Sequence, residues 1–138
     1  MKIREIMNPA VDYARPDLCL TDAARRMRDE DIGCLPVGVG GRLLGMVTDR
    51  DLTIRGLAEA RHPEQTTLQD LLTEAVLYCF DDQEVEEVCR SMGDNRVRRM
   101  VVLDHGRNLV GIVSVGDVAD HTNAGCIQET LQKISTAA

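Results

Sequence analysis

The sequence predicts an α/β fold made of two copies of one unit, and three observations carry that prediction. The first is a repeated motif: Gly45-Met46-Val47-Thr48-Asp49-Arg50-Asp51 returns as Gly111-Ile112-Val113-Ser114-Val115-Gly116-Asp117. The second is register. The offset of 66 residues from Gly45 to Gly111 also pairs Leu43 with Leu109 and Leu52 with Val118. Upstream, an offset of 65 pairs Ile3 with Leu68, Ile6 with Leu71, Ala10-Val11 with Ala75-Val76, Asp17 with Asp82 and Met27 with Met92. The third is size. A chain of 138 residues is one ordinary domain's worth, so neither half is expected to bury a sufficient core alone and the copies should pack on each other.

One inserted residue separates the two offsets, and it falls where Gly40-Gly41-Arg42 and Asp104-His105-Gly106-Arg107-Asn108 supply turn chemistry. Each copy is expected to lead with a short helix and continue as β-α-β-β-α. In copy one, Ile3, Ile6 and Met7 share a helical face that Pro9 ends. Ala10-Val11-Asp12-Tyr13-Ala14 reads as a brief strand stopped by Arg15-Pro16-Asp17. Thr21 is the expected N-cap of a helix that turns Leu20, Ala23, Ala24 and Met27 inward and that Gly33 punctuates. Leu35-Pro36-Val37-Gly38-Val39 and Leu43-Leu44-Gly45-Met46-Val47 form a hairpin, and from Asp49 the chain turns helical through Leu52, Ile54, Leu57 and Ala58.

Copy two repeats the plan from Leu68 to Leu72, through a strand Val76-Leu77-Tyr78-Cys79-Phe80, a helix carrying Val85, Val88, Cys89 and Met92, and a second hairpin of Met100 to Leu103 with Leu109 to Val113. After His121, Asn123 is placed to cap a last helix with Ile127, Leu131 and Ile134 on one stripe, which needs a partner surface. The domain reading is therefore 1–60, a linker 61–66, 67–122, and a C-terminal helix 123–138.

Composition bounds the function. Tyr13, Tyr78 and Phe80 are the only aromatic residues, so the core must be aliphatic. The five cysteines show no C-x-x-C pair, and the repeat partners of Cys34 and Cys89 are Arg99 and Ala24; they read as reduced, mostly buried small residues. His62, His105 and His121 are dispersed, so no metal site is expected. The net charge of −7 argues against nonspecific nucleic-acid binding. Within that acidic chain Arg96, Arg98 and Arg99 form a basic knot, which is either a solvated strand edge or an anion site. No signal peptide, transit peptide or membrane-spanning run is expected, which places the protein in the cytoplasm.

The duplicated motif sits where a strand hands over to a helix. As a capping box, the Thr48 or Ser114 hydroxyl accepts from a helical N–H while Asp51 or Asp117 reaches back. As a ligand site, N–H groups attract phosphate while the carboxylate takes hydrogen bonds from a ribose diol.

On residues 31–37, 45–51, 98–102 and 111–117, the chain resembles a tandem pair of CBS domains, named after cystathionine β-synthase, of the small stand-alone kind. That resemblance implies a pseudo-symmetric disc of two repeats, a homodimer, and an adenosine ligand such as AMP, ADP, ATP or S-adenosylmethionine in the cleft between repeats. It implies Thr48 or Ser114 near phosphate, Asp51 or Asp117 on ribose, and backbone around Val11, Leu35, Val76 and Met100 lining an adenine slot. Pro36, Arg50, Arg98 and Arg99 complete the expected ligand set. Copy two departs from copy one with Val101 for Pro36 and Val115-Gly116 for Asp49-Arg50, so its site should be shaped differently. The expected function is a regulatory sensor that relays ligand binding by conformational change, with no required cofactor and no catalytic constellation of nucleophile, base and orienter. The competing reading is a ligand-free interaction protein acting in a stress response through its homodimer and a protein partner.

Overall fold

The computed structural model describes residues 1–74 and 76–136. Ala75, the repeat partner of Ala10, and residues 137–138 of the expected C-terminal helix lie outside the described residues. The chain divides into two compact units, Asp12–Val76, and a terminal unit made of Met1–Val11 together with Leu77–Ala138.

The 12–76 unit contains helix α1 (Leu20–Glu30), strands β1 (Cys34–Val39) and β2 (Arg42–Thr48), α2 (Asp49–Asp51), a π-helical stretch Leu52–Leu57 and α3 (Leu68–Leu71). β1 and β2 pair antiparallel across Gly40 and Gly41. Both glycines have positive φ, 60° and 78°, as a two-residue hairpin turn requires. The core is Ala14, Ala23, Met27, Leu35, Val37, Val47, Leu52, Leu68, Leu71 and Leu72.

The terminal unit opens with a 3-10 turn, Ile3–Glu5, and continues with β3 (Tyr78–Phe80), α4 (Val85–Asn95), β4 (Arg99–Leu103), β5 (Leu109–Ser114), α5 (Val115–Ala119) and α6 (Ala124–Ser135). β3 runs parallel to β4, and β4 antiparallel to β5. Ile3, Val85, Val88, Met92, Met100, Val102 and Val113 are among its core residues. The hairpin registers slip at Val37/Gly38 and at Val102/Leu103, repeat-equivalent positions, so even the irregularity is duplicated.

The leading segments reveal how the repeats are built. Ile3 is buried among residues of copy two, and its repeat partner Leu68 among residues of copy one. The hydrogen bonds repeat too: Ile3 N donates to the Gln83 carbonyl and Arg4 N to Asp81, while Leu68 N donates to Leu18 and Gln69 N to Pro16. Each repeat thus lends its first helical turn to the unit formed by the other repeat's hairpin.

Several elements differ from expectation. The strand expected over residues 10–14 is reduced to a single parallel bridge between Ala14 and Val37, because Val11 N turns back to the Pro9 carbonyl at 2.9 Å. Val76 N does the same to Glu74, also at 2.9 Å, so β3 starts at Tyr78 and neither valine lies in a strand. The N-cap of α1 is Cys19, not Thr21, and no side chain caps it. Its first amides are satisfied instead by backbone, Leu20 N on Thr66 and Thr21 N on Pro63. Ala24 is exposed, while Ala23 and Met27 face inward. α1 and α4 stop at left-handed Asp31 and Arg96, φ 52° and 55°, repeat partners that lie two residues before Gly33 and Arg98. At α6, Asn123 Oδ1 does accept from Cys126 N at 2.8 Å, but the helix is rotated so that Thr130 and Ile134 are buried and Leu131 is 45% exposed. Its partner surface is α4, where a Cβ on Gly93 would lie only 3.2 Å from Thr130 Cα.

Candidate functional site

Each copy of the motif closes a strand-to-helix corner by the same bonds. At the first corner Asp51 Oδ2 accepts from Thr48 N at 2.8 Å and from Thr48 Oγ1 at 3.1 Å, and Asp51 N donates back to Thr48 Oγ1 at 3.2 Å. At the second, Asp117 Oδ2 accepts from Ser114 N and Oγ at 2.8 and 2.9 Å, and Asp117 N donates to Ser114 Oγ at 3.1 Å. Asp49 N is tied to the Gly33 carbonyl and Val115 N to the Arg98 carbonyl, at 2.9 and 2.8 Å. The capping box is therefore formed in both copies. Thr67 and Asp70 build another one at α3, so the box by itself marks no special place.

The motif's glycine has a folding role as well. Thr73 pairs with Met46 by two hydrogen bonds of 2.9 and 3.0 Å, and Asn8 with Ile112 by two of 2.8 and 3.0 Å. A Cβ on Gly45 would sit 2.6 Å from the Thr73 carbonyl oxygen, and one on Gly111 would sit 2.7 Å from Met7 Sδ and 2.9 Å from the Asn8 carbonyl oxygen. The leading segment is packed so close to the strand that only glycine fits.

What folding leaves over is the second carboxylate oxygen. Among the described residues, Oδ1 of Asp51 and Oδ1 of Asp117 have no hydrogen-bond partner, and both side chains are half-buried. The corners differ in their donors. At the first, Arg50 N is taken by Asp49 Oδ1 at 2.9 Å, which leaves none of the four amides from Thr48 to Asp51 without an acceptor. At the second, Gly116 replaces Arg50 and its N–H carries no hydrogen bond among the described residues. Gly116 is exposed, with nothing closer to a built Cβ than Ser114 Oγ at 3.5 Å.

The twelve expected site residues divide evenly between the units. The 12–76 unit holds Leu35, Pro36, Thr48, Arg50, Asp51 and Val76; the terminal unit holds Val11, Arg98, Arg99, Met100, Ser114 and Asp117. Leu35, Pro36 and Met100 are buried, Val11 and Val76 half-buried, and Arg50, Arg98 and Arg99 exposed. In register, Pro36 faces Met46 on β2, while Arg99 faces Ser114 and Met100 faces Val113 on β5. The three arginines make no ion pair among the described residues. Sequence reasoning passed over Tyr13. Its ring lies against Gly38, its hydroxyl is buried without a hydrogen-bond partner among the described residues, and desolvation raises its pKa. The signal available was its recurrence as Tyr78 at the 65-residue offset.

The family model described as "CBS domain" matches this chain twice, over residues 3–56 and 68–123. The chain belongs to the CBS-domain family. A CBS-pair relative, Hypoxic response protein 1 of Mycobacterium tuberculosis, is 38% identical over 132 residues, covering 95% of this chain and 92% of that protein. The crystal structure of Hypoxic Response Protein I with two coordinated zinc ions superposes with a TM-score of 0.78 at 38% identity, over 89% of this chain and all of that one. Two further structures share the CBS fold at 24% identity. One is the CBS pair of MJ0100 with 5′-methylthioadenosine and S-adenosyl-L-methionine (TM-score 0.78, 87% and 94% covered), the other CBSX2 with AMP (TM-score 0.73, 86% and 93% covered). Among the described residues of this chain, no three His, Cys, Asp or Glu side chains form a group able to hold a metal ion. No described helix is long and apolar enough to cross a membrane.

Proposed function

We propose that this CBS pair is a regulatory module that binds an adenosine compound, AMP, ADP, ATP or S-adenosylmethionine, and relays its presence by conformational change, with no chemistry of its own. The observation that carries this reading is the unused Oδ1 of Asp51 and of Asp117. The capping box holds each carboxylate rigid through Oδ2 and leaves Oδ1 to accept from a ribose hydroxyl. The CBS fold accommodates such compounds in MJ0100 and CBSX2. Thr48 and Ser114 stand beside the phosphate position, and backbone near Leu35 and Val76 in one unit, Met100 and Val11 in the other, offers the adenine edge. Because the Thr48 and Ser114 hydroxyl protons are already given to Asp51 and Asp117, phosphate must be met by other donors. The first corner offers the Arg50 side chain and no spare amide, whereas the second combines the Gly116 N–H with Arg98, with Arg99 beside it. We therefore assign phosphate-bearing ligands to the second corner first. The protein is read as a cytoplasmic homodimer.

Titration calorimetry with AMP and ATP tests this. Asp117→Ala is expected to weaken binding about 10- to 150-fold, the equivalent of a charged hydrogen bond of roughly 1.5–3 kcal/mol, against a capping loss of about 1 kcal/mol in stability. Arg98→Ala is expected to weaken binding and flatten its salt dependence, with a smaller effect from Arg99→Ala. Unchanged affinity in Asp51→Ala and Asp117→Ala, with stability lost in both, would reduce the motif to a cap. Absence of any adenosine binding would favour the second reading, an interaction protein, for which the exposed Leu131 on α6 speaks.

A further inference from the structure

Two of the five cysteines meet inside the terminal unit. Cys89 is fully buried on α4; Cys126 is half-buried in the first turn of α6 and packs against the cluster that contains Cys89. Thr130 lies one helical turn after Cys126, on the same face of α6. Its Oγ1 sits 3.3 Å from Cys89 Sγ and donates to the Cys89 carbonyl at 2.9 Å. Gly93, one turn after Cys89, is what lets the two helices come this close. Burial, with contact from the Cys126 thiol and against the opposing Thr130 hydrogen bond, pushes Cys89 up to about 11. Cys79, on β3 of the same unit, is buried and pushed up to about 12 by desolvation, which leaves it protonated and unreactive.

We propose that Cys89 and Cys126 form a peroxide-responsive dithiol that closes to a reversible disulfide and fixes α6 on α4. Cys126 reaches solvent and Cys89 does not, so the Cys126 thiolate attacks. Its sulfur takes one oxygen of hydrogen peroxide, the O–O bond breaks, and the departing hydroxide is protonated to water. The Cys89 thiol then loses its proton as its sulfur attacks the Cys126 sulfenic acid, the S–O bond breaks, and a second water leaves. Two thiols give up two electrons and one peroxide becomes two waters. A small-molecule dithiol returns both cysteines to thiols by exchange.

The test is made on the full chain with hydrogen peroxide in modest excess, read by thiol titration, intact mass and peptide mapping. Free thiols are expected to fall from five to three, with a mass loss of about 2 Da and a Cys89–Cys126 cross-linked peptide, all reversed by dithiothreitol. The closed loop spans residues 89–126, so the melting temperature of the oxidised protein should rise by about 10 °C. Cys126→Ala should keep its remaining thiols under the same treatment and show no shift. A cross-link between other cysteines, a dimer linked through Cys126, or overoxidation of Cys126 without a cross-link would each overturn the proposal. So would loss of two thiols in a Cys126→Ala protein whose circular-dichroism spectrum and melting curve match those of the reduced parent, since burial alone protects Cys34, Cys79 and Cys89.

Discussion

Gly45→Ala separates the folding role of the duplicated motif from any role in binding. The new Cβ would lie 2.6 Å from the Thr73 carbonyl oxygen and 2.7 Å from Leu72 Cδ1. A leucine side chain can rotate, but a backbone carbonyl moves only with its segment. Relief therefore breaks the Met46–Thr73 pair, two hydrogen bonds of 2.9 and 3.0 Å at about 0.5–1.5 kcal/mol each, and strains the buried Leu72 beside it. Alanine recovers about 0.5–1 kcal/mol by restricting the unfolded chain, which leaves a net loss of roughly 1–2 kcal/mol. Gly111→Ala meets the thioether of Met7 first, at 2.7 Å, and the Asn8 carbonyl oxygen only at 2.9 Å. Its nearest obstacle is the end of a flexible side chain, so its cost should be smaller. Urea unfolding followed by far-ultraviolet circular dichroism measures both. A Gly45→Ala protein as stable as the parent, or a Gly111→Ala protein that loses more, would refute the close-approach account.

Gly93→Val puts branched carbon where a Cβ already stands 3.2 Å from Thr130; it should cost about 1–3 kcal/mol and raise amide exchange across α6. Asp104 is held below the usual carboxylate range by hydrogen bonds from Asn108, and Asp82 by its bond to His105. A depressed folded pKa stabilises above the ordinary value and is lost as pH falls through the folded one. Stability should accordingly decline below about pH 4, with a shallower acid limb in Asp104→Asn, seen in melting curves from pH 2 to 6. Leu131→Asp, at an exposed apolar position on α6, should shift the proposed homodimer towards monomer in light scattering; a monomeric parent would refute the dimer, and a dimeric parent whose mass the variant keeps would remove α6 from its interface.

Much of the fold was legible because its cues are local. The hairpin turns announce themselves in Gly40-Gly41, the cap of α6 in Asn123, and the corner boxes in a Thr or Ser three residues ahead of an Asp. The exchange of leading segments was not legible. A repeat offset pairs Ile3 with Leu68 because they do the same job, and says nothing about which hairpin either one covers. Nor could the sequence announce helix stops at Asp31 and Arg96, since left-handed caps usually declare themselves by glycine. Cys19 as a cap is invisible for a similar reason: the amides it leaves open are met by carbonyls of Pro63 and Thr66, over 40 residues away in sequence.

The candidate site shows the same division at finer scale. Its polar residues could be named from spacing, but whether an amide is spare depends on which distant carbonyl reaches it, as Gly33 reaches Asp49 and Arg98 reaches Val115. Duplication makes this accounting informative. Positions that both copies fill alike, Gly45 and Gly111, Thr48 and Ser114, Asp51 and Asp117, are those for which packing or capping already gives a reason. At the positions the copies fill differently, Gly33 against Arg98, Pro36 against Val101 and Asp49-Arg50 against Val115-Gly116, the duty the copies share at the corners is one of backbone alone, Gly33 holding Asp49 and Arg98 holding Val115 through their carbonyls, which leaves the side chains free to differ. Two of these differences, Arg98 and Gly116, put a cation and an uncommitted N–H at one corner, where the other has the Arg50 cation and no spare amide. On the function proposed above, discrimination between adenosine ligands therefore resides in the unlike positions. Exchanging Asp49-Arg50 for Val-Gly should move ligand preference between corners while leaving the fold in place.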